Sequence, residues 1–347
     1  WRNSDAGDRR RRRPGWLTDR LRRWEQRNSQ RRARRNAAHH YDIGEDLYRQ
    51  FLDPDLQYSC AYFAAPDDDL ATAQWRKKHH IAAKLCLAPG QRVLDIGCGW
   101  GGLAIDLAQT YRVHVTGLTL SDNQARTARQ RVRDAGLEDA VEIRLADYRS
   151  VEDRFDRIVS VGMLEHVGLD YYGNFFQTVR RLLTDDGVAL IHAIVRADGP
   201  GRTDPWIAKY IFPGGYIPAL SEVMPSIEAA GLWLCDLECL RLHYARTLRA
   251  WRRRFNAIRH QLQGPYDARF CRMWEFYLAG SETAFRHGGH MVGQLQLARE
   301  QTAVPLTRDY VTEAERAVTA RAIGAAMRSS AGSPEEARPE TGSVMKA

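Results

Sequence analysis

The chain has 347 residues, of which 44% are hydrophobic and 27% are charged, and this is ordinary for a globular protein with one large core or two modest ones. No apolar run reaches the ~18 residues that a membrane-spanning helix needs, so no such helix is predicted. The net charge of +8 is uneven, because residues 1–36 hold 14 Arg and four acidic residues and carry +10, whereas the remainder carries −2. A nearly neutral body does not favour a basic nucleic-acid groove, and no nucleic-acid partner is predicted.

Composition predicts three regions along the chain. Residues 1–40 form a basic, Arg-rich arm, and its first part, 1–15, is predicted to be disordered because like charges repel. Residues 41–328 have a globular composition and are predicted to form one domain. Residues 329–347 are rich in Ser, Gly, Pro and Glu, which predicts a flexible tail.

Strands and helices alternate from residue 92 to residue 195. This rhythm is typical of an α/β fold with a doubly wound, Rossmann-like, mostly parallel sheet and helices on both faces. Ser121 is predicted to cap a helix whose first turn holds Asp122. The predicted elements are strand Arg92–Ile96, helix 101–110, strand Val113–Leu118, the helix after Ser121, strands Val141–Ala146 and Arg157–Val161, helix Tyr171–Leu183 and strand Val188–Val195.

Residues 196–220 break this rhythm with Gly, Pro and aromatic residues and are long enough to form a lid over a substrate site. A helix predicted at 244–262 has one apolar stripe, and Arg residues occupy much of the rest. We predict that it packs on the core with a solvated basic face, with contact to lipid phosphates as the alternative. The other predicted elements are helix 221–230, strand 232–239, a second long helix and a strand near 291–298.

A glycine-rich loop lies between the first strand and the first helix, at 97–102. Glycine lets the backbone turn tightly and lets a ligand touch it, and the amides of the following helix then face that ligand. The spacing of Gly97, Gly99 and Gly102 also fits the dinucleotide pattern GxGxxG. The loop alone therefore does not choose between cofactors.

Other positions disfavour NAD. A dinucleotide site needs an acidic residue at the end of the second strand to bind ribose hydroxyls, and residues 117–120 there read Gly-Leu-Thr-Leu. Asp95, at the end of the first strand, is typical of methyltransferases, in which this carboxylate lies near the amino-acid end of the cofactor. Asp147 and Tyr148, after the third strand, are placed to meet an adenine ring by hydrogen bond and stacking. These positions favour a methyltransferase cofactor.

Over about residues 40–300 the sequence resembles the cyclopropane fatty acid synthase family, which includes the mycolic acid cyclopropane synthases. Several matching strings are long and in register, and the string at 204–215 is more similar to the phospholipid-acting synthases than to the mycolic acid branch. The strings are HYDIG at 40–44, YSCAYF at 58–63, the glycine loop, LTLS at 118–121 with Gln124, SVGMLEHVG at 160–168, DPWIAKYIFPGG at 204–215 and HYARTL at 243–248.

The resemblance implies an S-adenosylmethionine-dependent C-methyltransferase with a seven-stranded methyltransferase sheet and a lid over an acyl site. Such an enzyme transfers a methylene to the cis double bond of an unsaturated phospholipid acyl chain and leaves a cyclopropane ring. Gln124 is implied to bind the ribose of the cofactor. Together with the glycine loop and the strand ends, the expected cofactor set is Tyr58, Ser59, Asp95, Gly97, Gly99, Thr119, Gln124, Asp147 and Tyr148.

The resemblance also implies a bound bicarbonate ion as the base. Methyl transfer to an alkene leaves a carbocation, and the added methyl must lose a proton before the ring closes, so a base must lie within hydrogen-bond reach. Glu165 and Tyr244 are implied to hold this ion with side chains, and Cys60, His192 and Ile194 mainly with backbone groups. Because Glu165 is itself a carboxylate, bicarbonate must donate a hydrogen bond to it.

Aromatic residues close to these strings have two interpretations. Their π faces can stabilise a carbocation, or they simply pack in the core, which is the commoner role. The candidates are Tyr62, Phe63, Tyr172, Phe175, Trp206 and Phe212.

Three alternatives remain at this stage. A nucleic-acid methyltransferase is disfavoured because 162–165 read Gly-Met-Leu-Glu, where enzymes that methylate base amino groups often carry an Asn/Asp-Pro-Pro-aromatic string. Small-molecule methylation, or methyl addition without ring closure to give a branched fatty acid, is disfavoured because the bicarbonate set is complete. A lipid-binding protein without activity is disfavoured by the presence of Asp95, Glu165 and Tyr244.

Six scattered Cys without a CxxC pair predict reduced thiols in a cytoplasmic protein. His39-His40 and His79-His80 lack a supporting Asp, Glu or Cys pattern, so no metal is predicted. Since acyl chains of phospholipids lie in a bilayer, we expect peripheral contact with an anionic membrane at its inner face. A homodimer is a further expectation, because exposed helices with Trp and Arg can pair.

Deletion of residues 1–36 is predicted to weaken binding to vesicles of anionic phospholipid at low salt, because each basic residue near an anionic surface contributes about 1 kcal/mol. The affinity for S-adenosylmethionine should stay the same. Co-sedimentation with anionic and with zwitterionic vesicles measures the effect. Equal binding of the full and the truncated chain to anionic vesicles would refute the prediction.

Overall fold

The computed structural model describes residues 44–331 except 263 and 265. The predicted arm, 1–40, lies outside the described residues, and so does the predicted tail beyond Ala331. Nothing in the structure therefore tests the disorder expected at either end.

The described chain forms one sheet of seven strands: β1 (Arg92–Ile96), β2 (His114–Thr119), β3 (Val141–Leu145), β4 (Phe155–Val161), β5 (Leu183–Arg196), β6 (Trp233–Cys239) and β7 (His290–Ala298). Their order across the sheet is β3-β2-β1-β4-β5-β7-β6. Strands β1 to β5 pair in parallel, and β7 is antiparallel to both β5 and β6. The predicted seven-stranded, mostly parallel sheet is confirmed.

The helices are α1 (Glu45–Phe51), α2 (Leu70–Lys84), α3 (Gly102–Tyr111), α4 (Asp122–Asp134), α5 (Tyr172–Leu182), α6 (Pro205–Tyr210), α7 (Leu220–Ala229), α8 (His243–Ile258), α9 (Ala268–His287) and α10 (Asp309–Ala331). Short 3-10 turns follow β3, at Tyr148–Ser150, and β4, at Leu164–His166 and Leu169–Tyr171. In the part of the chain that the structure describes, every helix is too short or too polar to cross a bilayer.

Helices cover both faces of the sheet, as the alternating pattern predicts. Helices α2, α3 and α4 pack on one face through residues such as Leu107 and Ala128, and α5 and α7 pack on the other through Phe175 and Val223. A third apolar cluster joins α1, α8 and α9, with Trp251 and Trp274 fully buried at its centre. This third cluster forms a helical layer over part of the sheet edge where the parallel strands end.

Strand bounds agree closely with the sequence pattern. Strand β1 is identical to the predicted Arg92–Ile96, and the Ser121 hydroxyl accepts a hydrogen bond from Gln124 N, which confirms the predicted cap of α4. Strand β5 begins at Leu183 rather than at the predicted Val188, because Leu183 pairs with Phe155 at the start of β4.

Helix α2 is absent from the sequence prediction because its composition looks polar. Its Lys77–His80 stretch and Lys84 are nevertheless buried. The Lys78 ammonium lies 2.9 Å from Asp55 and 3.1 Å from Asp106, and Lys84 is paired with Glu238. Buried cations are tolerated only when paired, so ion pairs hold this helix together with the apolar packing of Ile81 and Ala82.

The basic face of α8 contacts protein at several points. The Arg246 guanidinium lies 4.1 Å from the ring centre of Phe63, and Arg252 forms an ion pair with Glu282 at 3.2 Å. Arg254 donates to the Leu52 carbonyl at 2.6 Å. These contacts favour the predicted structural role of the helix over the alternative role in lipid contact.

The segment predicted as a lid, 196–220, is closed at its base by a hydrogen bond of 2.8 Å from Arg196 N to the Pro218 carbonyl. Asp204 caps α6 within it by accepting from the backbone of Trp206. Tyr216 N donates to the Glu165 carbonyl at 2.8 Å, which ties the segment to the turn after β4.

Helix α10 belongs to a second compact unit, which begins at Thr307. The predicted domain end at 328 falls inside this helix, which extends to Ala331. The helix therefore includes Ser329, Ser330 and Ala331, which lie in the region predicted to be a tail.

Gly117, within β2, is predicted to be essential for seating the glycine loop. A side chain there would lie 2.9 Å from Ile143 Cδ1 and 3.0 Å from Cys98 Sγ, too close for either atom. We expect Gly117→Ala to lower the free energy of unfolding by about 1–3 kcal/mol and to weaken cofactor binding. Chemical denaturation and calorimetric titration of S-adenosylmethionine measure both effects.

The matched control is Gly173→Ala in α5, where an added side chain meets no described atom within 4 Å. This variant should be as stable as the parent or slightly more stable, because alanine favours helix. Equal stability of the two variants would contradict the prediction for Gly117.

Candidate active site

The candidate site lies at the carboxyl ends of the parallel strands. The sheet order reverses between β1 and β4, and in open α/β sheets ligands bind in the crevice at such a switch point. The predicted cofactor and catalytic residues Asp95, Thr119 and Asp147 stand at or just after the ends of β1, β2 and β3, and Glu165 follows β4. The fold therefore brings most sequence-predicted residues to one edge.

The glycine loop is anchored to β2 by its backbone. The amides of Gly97 and Cys98 both donate to the Leu118 carbonyl, at 3.0 and 2.8 Å. Gly99 has a φ of +56°, and a side chain there would meet no described atom within 4 Å. A side chain at Gly102 would instead collide with Asp55 and Gln57. Gly102 thus serves close packing, whereas Gly99 borders open space that a ligand can enter.

Asp95 has the chemistry expected of a cofactor ligand. Its side chain is 2% exposed, and among the described residues its Oδ2 atom has no hydrogen-bond partner. Burial raises the pKa of this carboxyl to about 7, and the charge of Lys77 opposes that rise. A buried, unpartnered carboxylate oxygen at the end of β1 fits the ammonium group at the amino-acid end of S-adenosylmethionine.

Ser59 and Tyr58 are held from opposite sides. The Ser59 hydroxyl accepts from Lys77 Nζ at 2.9 Å. The Tyr58 and Tyr277 hydroxyls are hydrogen-bonded at 2.8 Å, and the Tyr58 ring stacks on Trp251 with centres 5.0 Å apart. The short segment before α2 is therefore fixed by α2, α8 and α9 together.

Lys77 was not predicted as a site residue. It is 1% exposed, and burial lowers the pKa of its ammonium to about 8, against the opposing charge of Asp53. In the sequence, Lys77 and Lys78 form a basic pair within a segment of mixed composition, and nothing in that pattern indicates that Lys77 is buried.

The end of β2 and the start of α4 bring together two residues of the expected cofactor set, Thr119 and Gln124. Thr119 Oγ1 donates to Gln124 Oε1 at 2.8 Å, and both side chains are buried. Ser121 N donates to the same Thr119 oxygen at 3.2 Å. The structure therefore joins Thr119 and Gln124 in one polar cluster, as a shared cofactor contact requires.

Asp147 and Tyr148 make contacts within the protein that the sequence did not predict. The Asp147 carboxylate is held by Arg149, with distances of 2.8 Å to Nε and 2.6 Å to Nη2. Tyr148 is 8% exposed, and its ring meets Phe175 edge-on at 5.3 Å. The contact of both residues with adenine remains a prediction.

Glu165 is the best-defined feature of the site. Its Oε1 atom accepts a hydrogen bond of 2.6 Å from Ile194 N, while Oε2 is buried and has no hydrogen-bond partner among the described residues. Burial raises the pKa of this carboxyl to about 7, although the bond from Ile194 favours the charged form. One oxygen is thus fixed by the backbone of β5, and the other is available for a ligand.

His192 and Cys60 are buried and neutral. His192 Nδ1 lies 3.2 Å from Gln294 Nε2, and burial together with nearby positive charges holds the pKa of His192 well below its usual value. Because the amide can only donate, we infer that Nδ1 accepts and that Nε2 carries the proton. Burial raises the pKa of the Cys60 thiol, and its Sγ lies 3.4 Å from the Ala61 carbonyl.

A large cavity of about 1380 Å³ reaches this region. Ile194 and Tyr244 line it, and Tyr244 packs against Phe285 with ring centres 4.8 Å apart. The lining is mostly apolar and comes from the lid segment, α8 and α9. The cavity thus connects the backbone anchor of Glu165 with a long apolar space.

The predicted aromatic candidates separate into two groups. Trp206 and Phe212 line the cavity. Tyr172 and Phe175 pack in the core between α5 and the sheet. Aromatic residues of α9 that no motif indicated, Tyr277 and Phe285, also line the cavity.

Tyr62 and Phe63 do not line the cavity, and both lie beside His243. The Tyr62 ring stacks between His80, at 4.1 Å, and His243, at 5.0 Å. Phe63 N donates to His243 Nδ1 at 3.0 Å. Their contacts are those of structural residues rather than of a cation cage.

The sequence predicts no metal site, and the structure gives the surroundings of His79 and His80. Among them no group of three or more His, Cys, Asp or Glu is arranged to hold a metal ion. His79 contacts the Tyr111 hydroxyl at 3.0 Å, and His80 contacts Glu238 at 2.8 Å.

This chain is similar to known proteins in both sequence and fold. A family model described as mycolic acid cyclopropane synthetase matches residues 28–295. The chain is 44% identical over 260 residues to the cyclopropane-fatty-acyl-phospholipid synthase of Escherichia coli K12, a match that covers 75% of this chain and 66% of that protein. It is 42% identical over 286 residues to the tuberculostearic acid methyltransferase UfaA1 of Mycobacterium tuberculosis, covering 79% and 67%. The chain therefore spans just under two thirds of the Escherichia coli relative.

Solved structures agree with this result. The cyclopropane synthase MmaA2 from Mycobacterium tuberculosis superposes with a TM-score of 0.72 at 34% identity, covering 76% of this chain and 98% of that chain. The mycolic acid cyclopropane synthase CmaA1 complexed with SAH and CTAB gives 0.72 at 35% identity, covering 76% and 97%. The seven-stranded sheet is thus that of the S-adenosylmethionine-dependent methyltransferases, and the chain belongs to the mycolic acid cyclopropane synthetase family.

Proposed function

We propose that this chain transfers a methylene group from S-adenosylmethionine to the cis double bond of an unsaturated phospholipid acyl chain and forms a cyclopropane ring. The observation that carries the proposal is the Glu165 carboxylate. It is 7% exposed, is held at one oxygen by Ile194 N, and keeps its other oxygen without a hydrogen-bond partner among the described residues. Ile194 and Tyr244 line the large apolar cavity beside it.

The cavity supports a long acyl substrate. Its volume of about 1380 Å³ exceeds the ~300–1,000 Å³ of ordinary small-molecule pockets. Its walls include Leu248, Met273 and Phe285, which make non-directional contacts suited to a hydrocarbon chain. A relative at 44% identity is named as a cyclopropane-fatty-acyl-phospholipid synthase, and this similarity favours a phospholipid substrate.

The residues at the carboxyl ends of the parallel strands are suited to bind S-adenosylmethionine. When bound, S-adenosylmethionine supplies an electrophilic methyl group, which the alkene attacks. Asp95 would hold its ammonium, the loop at Gly97 and Gly99 would contact its amino-acid part, and Thr119 with Gln124 would bind its ribose hydroxyls. The positions of these residues around one sheet edge support this assignment.

Proton removal is proposed to depend on bicarbonate held by this chain. Glu165 Oε2 would accept the hydrogen bond of its hydroxyl, and the Tyr244 hydroxyl would donate to one of its oxygens. Cys60, His192 and Ile194 would border the ion, although the Ile194 N–H is already donated to Glu165. Held by these residues, the ion would supply the base for one proton of the added methyl, and the electron pair of the broken C–H bond would close the ring.

The aromatic wall would stabilise the positive charge that precedes ring closure. Tyr244, Phe285, Phe212 and Tyr277 line the cavity, and Phe212 meets Tyr277 edge-on with centres 5.8 Å apart. A ring face attracts a nearby cation by about 0.5–2 kcal/mol, more strongly when water is excluded.

Methyl addition without ring closure is the second candidate. A relative at 42% identity is named as a tuberculostearic acid methyltransferase, and another at 41% as a probable fatty acid methyltransferase. The decisive experiment incubates the full chain with vesicles of unsaturated phospholipid and labelled S-adenosylmethionine. Mass spectrometry should find acyl chains heavier by one CH2, and nuclear magnetic resonance should find cyclopropane protons. A branched methyl signal would establish the second candidate, and no labelled lipid would overturn both.

Glu165→Gln is expected to abolish nearly all product while leaving the affinity for S-adenosylmethionine unchanged. The amide cannot accept a hydrogen bond at both terminal atoms, so the base is no longer held, and general-base catalysis contributes about 10²–10⁴-fold in rate. Product formation and calorimetric cofactor titration measure the two effects. Glu228→Gln, on the exposed side of α7, is the matched control and should retain full turnover. Normal turnover of Glu165→Gln would remove this residue from the mechanism.

The same variant should gain stability at alkaline pH. Burial raises the pKa of Glu165 from 4.5 to about 7, so the folded protein favours the protonated form. The stability that this group contributes is fully present below pH 4.5 and is lost as pH rises through about 7. Relative to the parent, Glu165→Gln should therefore be more stable at pH ~8 than at pH ~5, by up to about 3 kcal/mol.

Urea denaturation of parent and variant across this pH range measures the difference. Asp95 titrates in both proteins, so its effect cancels in the comparison. If the free energies of unfolding of parent and variant change with pH in the same way, Glu165 is not buried in its charged form.

A further inference from the structure

The apolar cavity has two chemically different ends. Ile194, Tyr244 and Phe285 line the end that adjoins Glu165. Helix α9 then runs along the cavity, and its first turns contribute Arg269 and Arg272 to the lining. The first turns of α9 are therefore basic, and its last turn lies beside Tyr244, where Arg196 and His290 also line the cavity.

These two arginines differ from the other basic residues of the region. Both are exposed, and among the described residues neither forms an ion pair or a side-chain hydrogen bond. Arg196, which also lines the cavity, is occupied by Asp198 at 3.0 and 3.1 Å. Arg269 and Arg272 thus present unpaired guanidinium groups at the cavity.

The nearby carboxylates are engaged at helix ends. Asp267 accepts from Phe270 N at 2.7 Å and caps α9, and Asp204 caps α6. Unpaired positive charges in the first turns of a helix are unfavourable, because the helix dipole is positive there. Binding of an anion by Arg269 and Arg272 would relieve this repulsion.

An aromatic pair with one exposed ring lies further along α9 than the arginines. Phe276, on the same side of α9 one to two turns after the arginines, is 61% exposed. It meets Trp206 of α6 edge-on with ring centres 4.8 Å apart. The order along α9 is thus guanidinium groups, exposed aromatic rings and then the apolar interior, which matches the order of phosphate, glycerol backbone and acyl chain in a phospholipid.

We propose that Arg269 and Arg272 bind the phosphate of the phospholipid whose acyl chain occupies the cavity, an inference that rests on the proposed function for the identity of the substrate. Arginine suits this role because its planar fork donates two hydrogen bonds to phosphate oxygens.

The length of α9 gives this site a consequence for regiochemistry. Phe285 lies thirteen positions after Arg272, which corresponds to about 20 Å along a helix. The arginine side chain covers part of this length. The remainder is comparable to the distance from a phosphate to the middle of a long acyl chain. The phosphate site therefore sets which double bond lies beside Tyr244.

The test uses the full chain without cofactor, so it does not depend on methyl transfer. Binding of dihexanoylphosphatidylcholine below its micellar concentration is measured by calorimetry for the parent and for the double variant Arg269→Gln/Arg272→Gln. We expect the affinity to fall at least about tenfold, since charge-assisted hydrogen bonds are lost. Dihexanoylglycerol, which has the same chains and no phosphate, should bind both proteins equally.

The matched control is Arg126→Gln/Arg133→Gln, which removes two exposed arginines from α4 and should bind the phospholipid like the parent. Glycerophosphocholine, the headgroup without chains, should bind far more weakly than the phospholipid. Equal phospholipid affinity of parent and double variant would overturn the proposal. So would an equal loss of affinity for dihexanoylglycerol, which would indicate damaged packing.

The two proposals fail separately. Arginine-dependent phospholipid binding without any labelled lipid product would sustain the phosphate site and overturn the proposed reaction. If the parent forms product but the double variant binds phospholipid as tightly as the parent, the proposed reaction is sustained and the phosphate site is overturned.

Discussion

The hydrogen bond from Ile194 N to Glu165 is the interaction on which the site depends. Strand β4 ends at Val161, beside His192, and Gly162 N still donates to the His192 carbonyl. The amide of Ile194, two residues further along β5, is left without a strand partner on that side. The Glu165 carboxylate supplies the missing acceptor. One bond thus completes the sheet edge, fixes the side chain and leaves its second oxygen for a ligand.

Several ionisable groups at this edge are buried at a cost to stability. Burial raises the pKa of Asp95 and Glu165 to about 7 and lowers the pKa of Lys77 to about 8. Each shift means that the charged form is less stable in the fold than in water. Such groups recover their charge most easily when a ligand supplies the missing partner, so the free site favours ligands that bring a complementary charge or a hydrogen bond.

Local pattern and family strings were sufficient for the sheet and for the residues after its strands. The bounds of β1, the cap at Ser121 and the place of Glu165 after β4 follow from apolar runs, a capping residue and a specific string. Helix α2 was missed because burial of Lys77 and Lys84 depends on partners that are distant in sequence, Gln57 for Lys77 and Glu238 for Lys84. The same limit applies to the aromatic residues, since spacing alone does not separate rings that line a cavity from rings that fill a core.

An apolar cavity by itself does not select one carbon of an acyl chain. Hydrophobic contacts are non-directional, so a chain displaced by one methylene makes nearly the same contacts with residues such as Leu248 and Met273. Selection requires a polar anchor at a fixed distance from the reacting groups. Tyr244 lines the space together with Ile194, whose amide holds Glu165, and Arg269 and Arg272 line it at the first turns of α9. In the proposed reaction, the separation between the anchor and the reacting groups would be fixed by a single rigid helix rather than by the lid.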